Sequence, residues 1–97
     1  MKIFKDPNLK EEVQILDLGI VPAGESKKFT YYLLNDISAL LVDLKFQIEH
    51  DEVTVIKSPT KMEYLAKEEL VIEWSPSVTI KQGLKTSLKV CGKELWR

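Results

Sequence analysis

The amino-acid sequence predicts an all-β fold, an antiparallel β-sandwich of about seven strands, and three observations carry that prediction. Residues 42–49, Val42-Asp43-Leu44-Lys45-Phe46-Gln47-Ile48-Glu49, place an apolar side chain at every even position and a polar one at every odd position. Only the two-residue side-chain period of a strand sorts such a run into a dry face and a wet face. Residues 70–75 and 84–90 repeat the pattern, and one wetted face per sheet is the mark of antiparallel pairing. Punctuation by Pro, Gly, Asn and Asp comes at close intervals, which is what a sandwich of short strands needs.

The elements follow in order. Ile3-Phe4 is a short apolar segment broken by Asp6-Pro7-Asn8. Residues 13–21 form an extended stretch in which Asp17 and Gly19 intervene, and a glycine there predicts a bulge or an edge strand that switches sheets. Pro22-Ala23-Gly24-Glu25 is a tight turn, because proline presets the first central φ and glycine accepts a positive one. The strand over residues 27–34 has Phe29, Tyr31 and Leu33 on one face and Thr30, Tyr32 and Leu34 on the other. Asn35-Asp36-Ile37-Ser38 turns the chain into the alternating strand, and His50-Asp51-Glu52 turns it again into residues 53–56.

Residues 57–67 form a longer connection with Pro59, in which Met62 and Leu65 are expected to plug the open end of the core. A strand over residues 68–74 follows, with Leu70, Ile72 and Trp74 inward, and Ser75-Pro76-Ser77 ends it. Gly83 opens the way to residues 84–91, and Gly92 is expected to separate a short terminal segment, residues 94–97. Neither a helix, an internal repeat nor a linker is predicted. Residues 1–97 read as one domain, with residues 1–12 and 93–97 as extensions that reach a partner.

Composition bounds the function. A chain of 97 residues folds around one core without staples, and 44% hydrophobic with 30% charged residues excludes wholesale disorder. Fourteen basic residues against fifteen acidic ones give a net charge of −1, so no global field steers the chain onto nucleic acid or an anionic membrane. Cys91 is the single cysteine, which excludes an internal disulfide and favours a reducing interior. The residues after Met1 contain no apolar signal segment, and no stretch approaches the ~20 apolar residues of a membrane span. The expected location is the cytoplasm of the producing cell, or a virion released from it.

Reactive chemistry finds little support. An activated nucleophile needs a base that a third group orients, and the only histidine, His50, lies between Glu49 and Asp51 and reads as a solvated turn residue. Cys91, between Lys89 and Lys93, reads as a small edge or core residue. One cysteine and one histidine make no zinc cluster. Glu49, Asp51 and Glu52 lack the spaced pattern of a calcium loop, and four scattered glycines make no phosphate cradle. The adjacent carboxylate pairs point to opposite faces of a strand. No catalytic residue, metal or cofactor is therefore assigned. The aromatic residues outside the core pattern carry what signal remains, since tyrosine and tryptophan dominate binding hot spots. Ile3, Phe4, Tyr32, Leu95 and Trp96 are the candidate partner-binding residues, against the simpler reading that Trp96 caps an open edge.

The motifs Leu16-Asp17-Leu18-Gly19-Ile20-Val21-Pro22-Ala23-Gly24-Glu25-Ser26, Tyr32-Leu33-Leu34-Asn35-Asp36 and Trp74-Ser75-Pro76 add a resemblance. Over residues 13–92 the chain resembles the immunoglobulin-like sandwiches of the major sperm protein and abnormal-spindle/hydin class. In format it also resembles the immunoglobulin-like accessory proteins of tailed-phage particles. The resemblance implies an immunoglobulin-like fold and a non-enzymatic interaction module, a small virion component decorating or completing a phage head or tail. The alternative is a cytoplasmic scaffold domain that binds a short peptide at a sheet edge. Either way the expected partner is protein, self or a capsid or tail lattice, oligomeric in assembly, with no nucleic acid and no membrane.

Overall fold

The computed structural model describes residues 1–96. They form eight strands and no helix: β1 (Lys2–Phe4), β2 (Leu16–Gly19), β3 (Lys27–Leu34), β4 (Ala39–Ile48), β5 (Val53–Lys57), β6 (Lys67–Trp74), β7 (Leu84–Thr86) and β8 (Leu88–Trp96). All pairing is antiparallel: a four-stranded sheet in the order β1-β3-β6-β5, and two two-stranded sheets, β2-β7 and β4-β8. One apolar cluster draws on every sheet, from Leu16 and Leu18 through Tyr31, Leu33, Leu41, Leu44 and Ile48 to Leu70, Ile72 and Trp74.

The spine of the fold is the β3–β6 ladder, where strict alternation sets the faces. Phe29 pairs with Ile72 and Tyr31 with Leu70, and Leu33, Leu70, Ile72 and Trp74 have no exposed surface. Full burial of an aliphatic side chain of this size contributes roughly 1.5–3 kcal/mol, so these positions dominate the stability of the core. Met62 closes the end of the core at 1% exposure, exchanging both backbone hydrogen bonds with Leu41 at 2.9 Å. Leu65 does not join it: with φ at +63° and 60% exposure, it lies outside the plug the sequence suggests.

Asn35 fixes the corner between β3 and β4. It is wholly buried, its Nδ2 donates to the carbonyls of Ala39, Met62 and Glu63 at 2.9, 3.1 and 3.0 Å, and its Oδ1 accepts from the Ile37 N–H at 3.0 Å. One side chain thereby ties the end of β3, the start of β4 and the 62–66 loop together.

Further expectations are corrected here. The alternation of β4 changes phase at Asp43, whose φ of +52° marks a bulge, so Ala39 and Leu41 are buried before it and Leu44 and Ile48 after it. Val42 therefore does not share a face with Leu44. The extra residue is accommodated because Val42 pairs with Lys93 and Lys45 with Cys91, leaving Asp43 and Leu44 against Gly92 alone. Gly92, for the same reason, separates nothing: β8 runs through it. A Cβ there would meet Leu44 Cδ2 at 2.8 Å and the Val42 carbonyl oxygen at 3.1 Å. Gly92→Val is expected to cost roughly 1–3 kcal/mol through overpacking against the bulge, read as a lower denaturation midpoint; an unchanged midpoint would show that the bulge yields freely.

Residues 2–4 and 93–96 are strands of the sheets rather than free extensions, and Arg97 lies outside the described residues. Lys2–Phe4 is β1, paired with β3, and its other edge is covered by residues 11–13: the Lys5 N–H donates to the Glu11 carbonyl at 2.9 Å, and the Val13 N–H donates to Ile3 at 2.8 Å. Residues 93–96 belong to β8, paired with β4 down to Ala39 opposite Trp96. The run over residues 84–91 divides at Ser87, β7 serving β2 and β8 serving β4.

Candidate functional site

The chemistry with the fewest partners in this fold is backbone, along β8. In an antiparallel pair, successive residues turn their N–H and C=O groups to opposite edges. The Glu49 N–H donates to the Ser87 carbonyl at 3.1 Å, which sets odd-numbered residues of the strand toward β4. Leu41 and Leu44 of β4 confirm the phase, since their N–H groups point the other way, to Met62 and Thr60 at 2.9 and 3.0 Å. The N–H and C=O groups of Leu88, Val90, Gly92 and Glu94 therefore face the second edge of β8. Among the described residues no strand pairs with that edge.

Free edges invite a further strand, and folds blunt them by shortness, bulges and charge. β5, β2 and β7, among the other edges, follow that rule: β5 has five residues and a register break between Val55 and Lys57, β2 has four and a break at Gly19, and β7 has three; the outer edge of β4 is engaged at Leu41 and Leu44 by Met62 and Thr60. At nine residues β8 is the long one, and the bulge in its pairing belongs to β4.

The two faces of β8 differ. Leu88 and Val90 lie opposite Ile48 and Phe46 on the core side, yet Val90 keeps 37% of its surface exposed. Beneath it opens a cleft of about 310 Å³ lined by Met1, Ile37, Leu41, Leu44, Val90 and Glu94 among others. At its rim the Met1 ammonium lies 2.9 Å from Asp36, and that hydrogen bond holds the Asp36 carboxyl below its ordinary value. The outer face carries Lys89, Cys91 and Lys93, with Lys45 of β4 opposite Cys91. Asp43 lies 3.9 Å from Lys93, both exposed, and the exposed Glu49, just past the end of β4, continues the same outward row opposite Ser87.

The candidate residues read from the sequence do not converge. Leu95 and Trp96 are on β8, 50% and 65% exposed, with the Trp96 indole N–H donating to Glu94 Oε2 at 3.1 Å. Ile3 packs against the core cluster, and Phe4, opposite Tyr32, is 7% exposed. Tyr32 is half-buried, between Phe4 and Glu69 in the four-stranded sheet. Of the five, only Leu95 and Trp96 lie along the free edge. What sequence reading missed is the stretch Leu88 to Gly92, whose signal was the alternation of Leu88 and Val90 with Lys89.

His50 sits at the 49–52 turn, half-buried, edge-on to Trp74 with ring centroids 6.4 Å apart; its Nδ1 accepts the Glu52 N–H at 3.2 Å. It is thus packed as well as wet. Among the described residues no three His, Cys, Asp or Glu side chains group to hold a metal ion, and no helix is long and apolar enough to cross a membrane. No family model, curated protein or solved structure matches the chain.

Proposed function

We propose that this chain is a non-enzymatic protein-interaction module, an immunoglobulin-like β-sandwich that takes an extended segment of a partner at the outer edge of β8. The sandwich reading is supported by the single core shared between the four-stranded sheet and the β2-β7 and β4-β8 pairs. The carrying observation is the free edge itself: nine residues of strand with pairing, among the described residues, on one side only. Main-chain hydrogen bonds supply affinity in such strand addition, and alternate side chains supply specificity. Of the two settings the sequence suggests, a scaffold that binds a peptide at a sheet edge draws directly on this feature. A place on a virion lattice would use the same edge toward a neighbouring subunit.

Selection from a yeast-displayed library of random extended peptides tests the reading. The Val90 N–H faces the free edge, so Val90→Pro removes one docking donor without touching the β4–β8 ladder, a position where strands tolerate proline. Peptides selected on the parent are expected to lose binding to Val90→Pro while its melting temperature stays near the parent's. Peptides that bind both proteins equally would place docking elsewhere.

A further inference from the structure

We infer that the segment docking on β8 belongs to another chain and alternates apolar with acidic residues, the apolar side chains entering the cleft under β8 and the acidic ones meeting Lys89 and Lys93. The inference rests on the edge-docking reading above and names the occupant.

The geometry supplies both halves of the pattern. A strand hydrogen-bonded to the Leu88, Val90, Gly92 and Glu94 edge continues the two faces of β8, because successive side chains point to opposite faces. Its inward side chains then lie over the cleft bounded by Leu41, Leu44, Val90, Ile37 and Met1, where the core row of β8 is left half-covered. Its outward side chains lie beside Lys89, Cys91 and Lys93, with Lys45 one strand further. Lys45, Lys89 and Lys93 outnumber the carboxylates of this face, Asp43 beside Lys93 and Glu49 at the Ser87 end of the pair, so acidic residues in the outward row are favoured and basic ones opposed.

A second copy of the chain brings no carboxylate to the outward row of this edge, which in β8 holds Lys89, Cys91, Lys93 and Leu95. Symmetric antiparallel pairing of β8 with itself joins edge-facing residue to edge-facing residue, which restricts the two-fold axis to a residue centre. Centred on Cys91, it sets Lys89 against Lys93 twice. Centred on Gly92, it sets Val90 against Glu94 and interleaves the lysines of both copies with no added carboxylate. Like charges directly across a ladder are destabilising, and a partner with carboxylates in that row removes the conflict.

The probe is an acetylated peptide alternating valine with aspartate or glutamate over the length of β8, titrated into the isotope-labelled protein and followed by amide NMR shifts. Two controls are the same composition in block order and the alternating peptide with lysine in place of each acid. Shifts confined to β8, Leu41 and Leu44 are expected, with each control roughly tenfold weaker. The double variant Lys89→Glu, Lys93→Glu should prefer the lysine peptide by a similar factor. N-methylating alternate amides of the acidic peptide, which leaves the protein unchanged, should abolish binding in one phase and spare it in the other. Equal binding of the acidic and lysine peptides, or absence of binding by the acidic one, overturns the inferred chemistry; library peptides that still depend on Val90 would leave the edge reading standing. Shifts away from β8 overturn both, and sedimentation of the chain as a dimer with β8 amides protected would assign the edge to a second copy.

Discussion

Trp74→Ala is expected to lower the stability of the domain by roughly 3–5 kcal/mol, the usual cost of removing a large buried aromatic. Trp74 ends β6 with no exposed surface, between Lys27 of β3 and Val53 of β5, with the His50 ring edge-on above it. Its Nε1 is buried without a hydrogen-bond partner among the described residues, so the loss is packing rather than a broken polar contact. Small domains are stable by only ~5–15 kcal/mol, and the variant should be substantially unfolded at temperatures where the parent is intact. Trp74→Phe, which discards the unpartnered N–H, is expected to cost much less. Chemical denaturation of the three proteins checks both; an alanine variant that melts within a few degrees of the parent would remove Trp74 from the centre of the core.

Asn35→Ala is expected to cost on the order of 3 kcal/mol, because a buried group stripped of its partner costs its desolvation penalty. Four hydrogen bonds depend on this side chain. Asn35→Asp should be at least as harmful, since it replaces the donating Nδ2 with an acceptor aimed at three carbonyls and adds a charge at a fully buried site. Size is nearly conserved in that substitution, so a loss of midpoint in Asn35→Asp separates hydrogen bonding from volume. Parental stability of Asn35→Asp would mean that the corner is held by its backbone alone, through Asn35 N–H to Ala66 and Leu65 N–H to Asn35.

Where the fold repeats a local rule, the sequence is legible. Phe29, Tyr31 and Leu33 on β3 and Leu70, Ile72 and Trp74 on β6 follow a two-residue period without interruption, and both strands lie with those rows inward. The same rule misleads at Asp43, where an unbroken alternation over residues 42–49 conceals a bulge. The bulge depends on Gly92, forty-nine positions away in sequence but adjacent in space, and periodicity within one strand holds no information about its partner. Gly92 reads as a break for that reason, although it is the one residue that can pass under Leu44. Phe4 likewise looks like a loose terminal aromatic until the 11–13 segment closes over the outer edge of β1. The candidate site was only partly readable: Leu95 and Trp96 fall on the right strand, but the groups that define the edge are amides and carbonyls, which every residue carries. Which of them lack a partner follows from pairing over the whole fold.

Amide hydrogen exchange of the monomeric protein, resolved residue by residue along β8, tests the central claim most directly. A strand paired on one side only must show protection with a period of two: slow exchange at Lys89, Cys91 and Lys93, whose N–H groups face β4, and fast exchange at Leu88, Val90 and Glu94, whose N–H groups face the free edge. Uniform protection through residues 88–94 in the monomer would contradict the account, because it would mean that the second edge of β8 is already occupied.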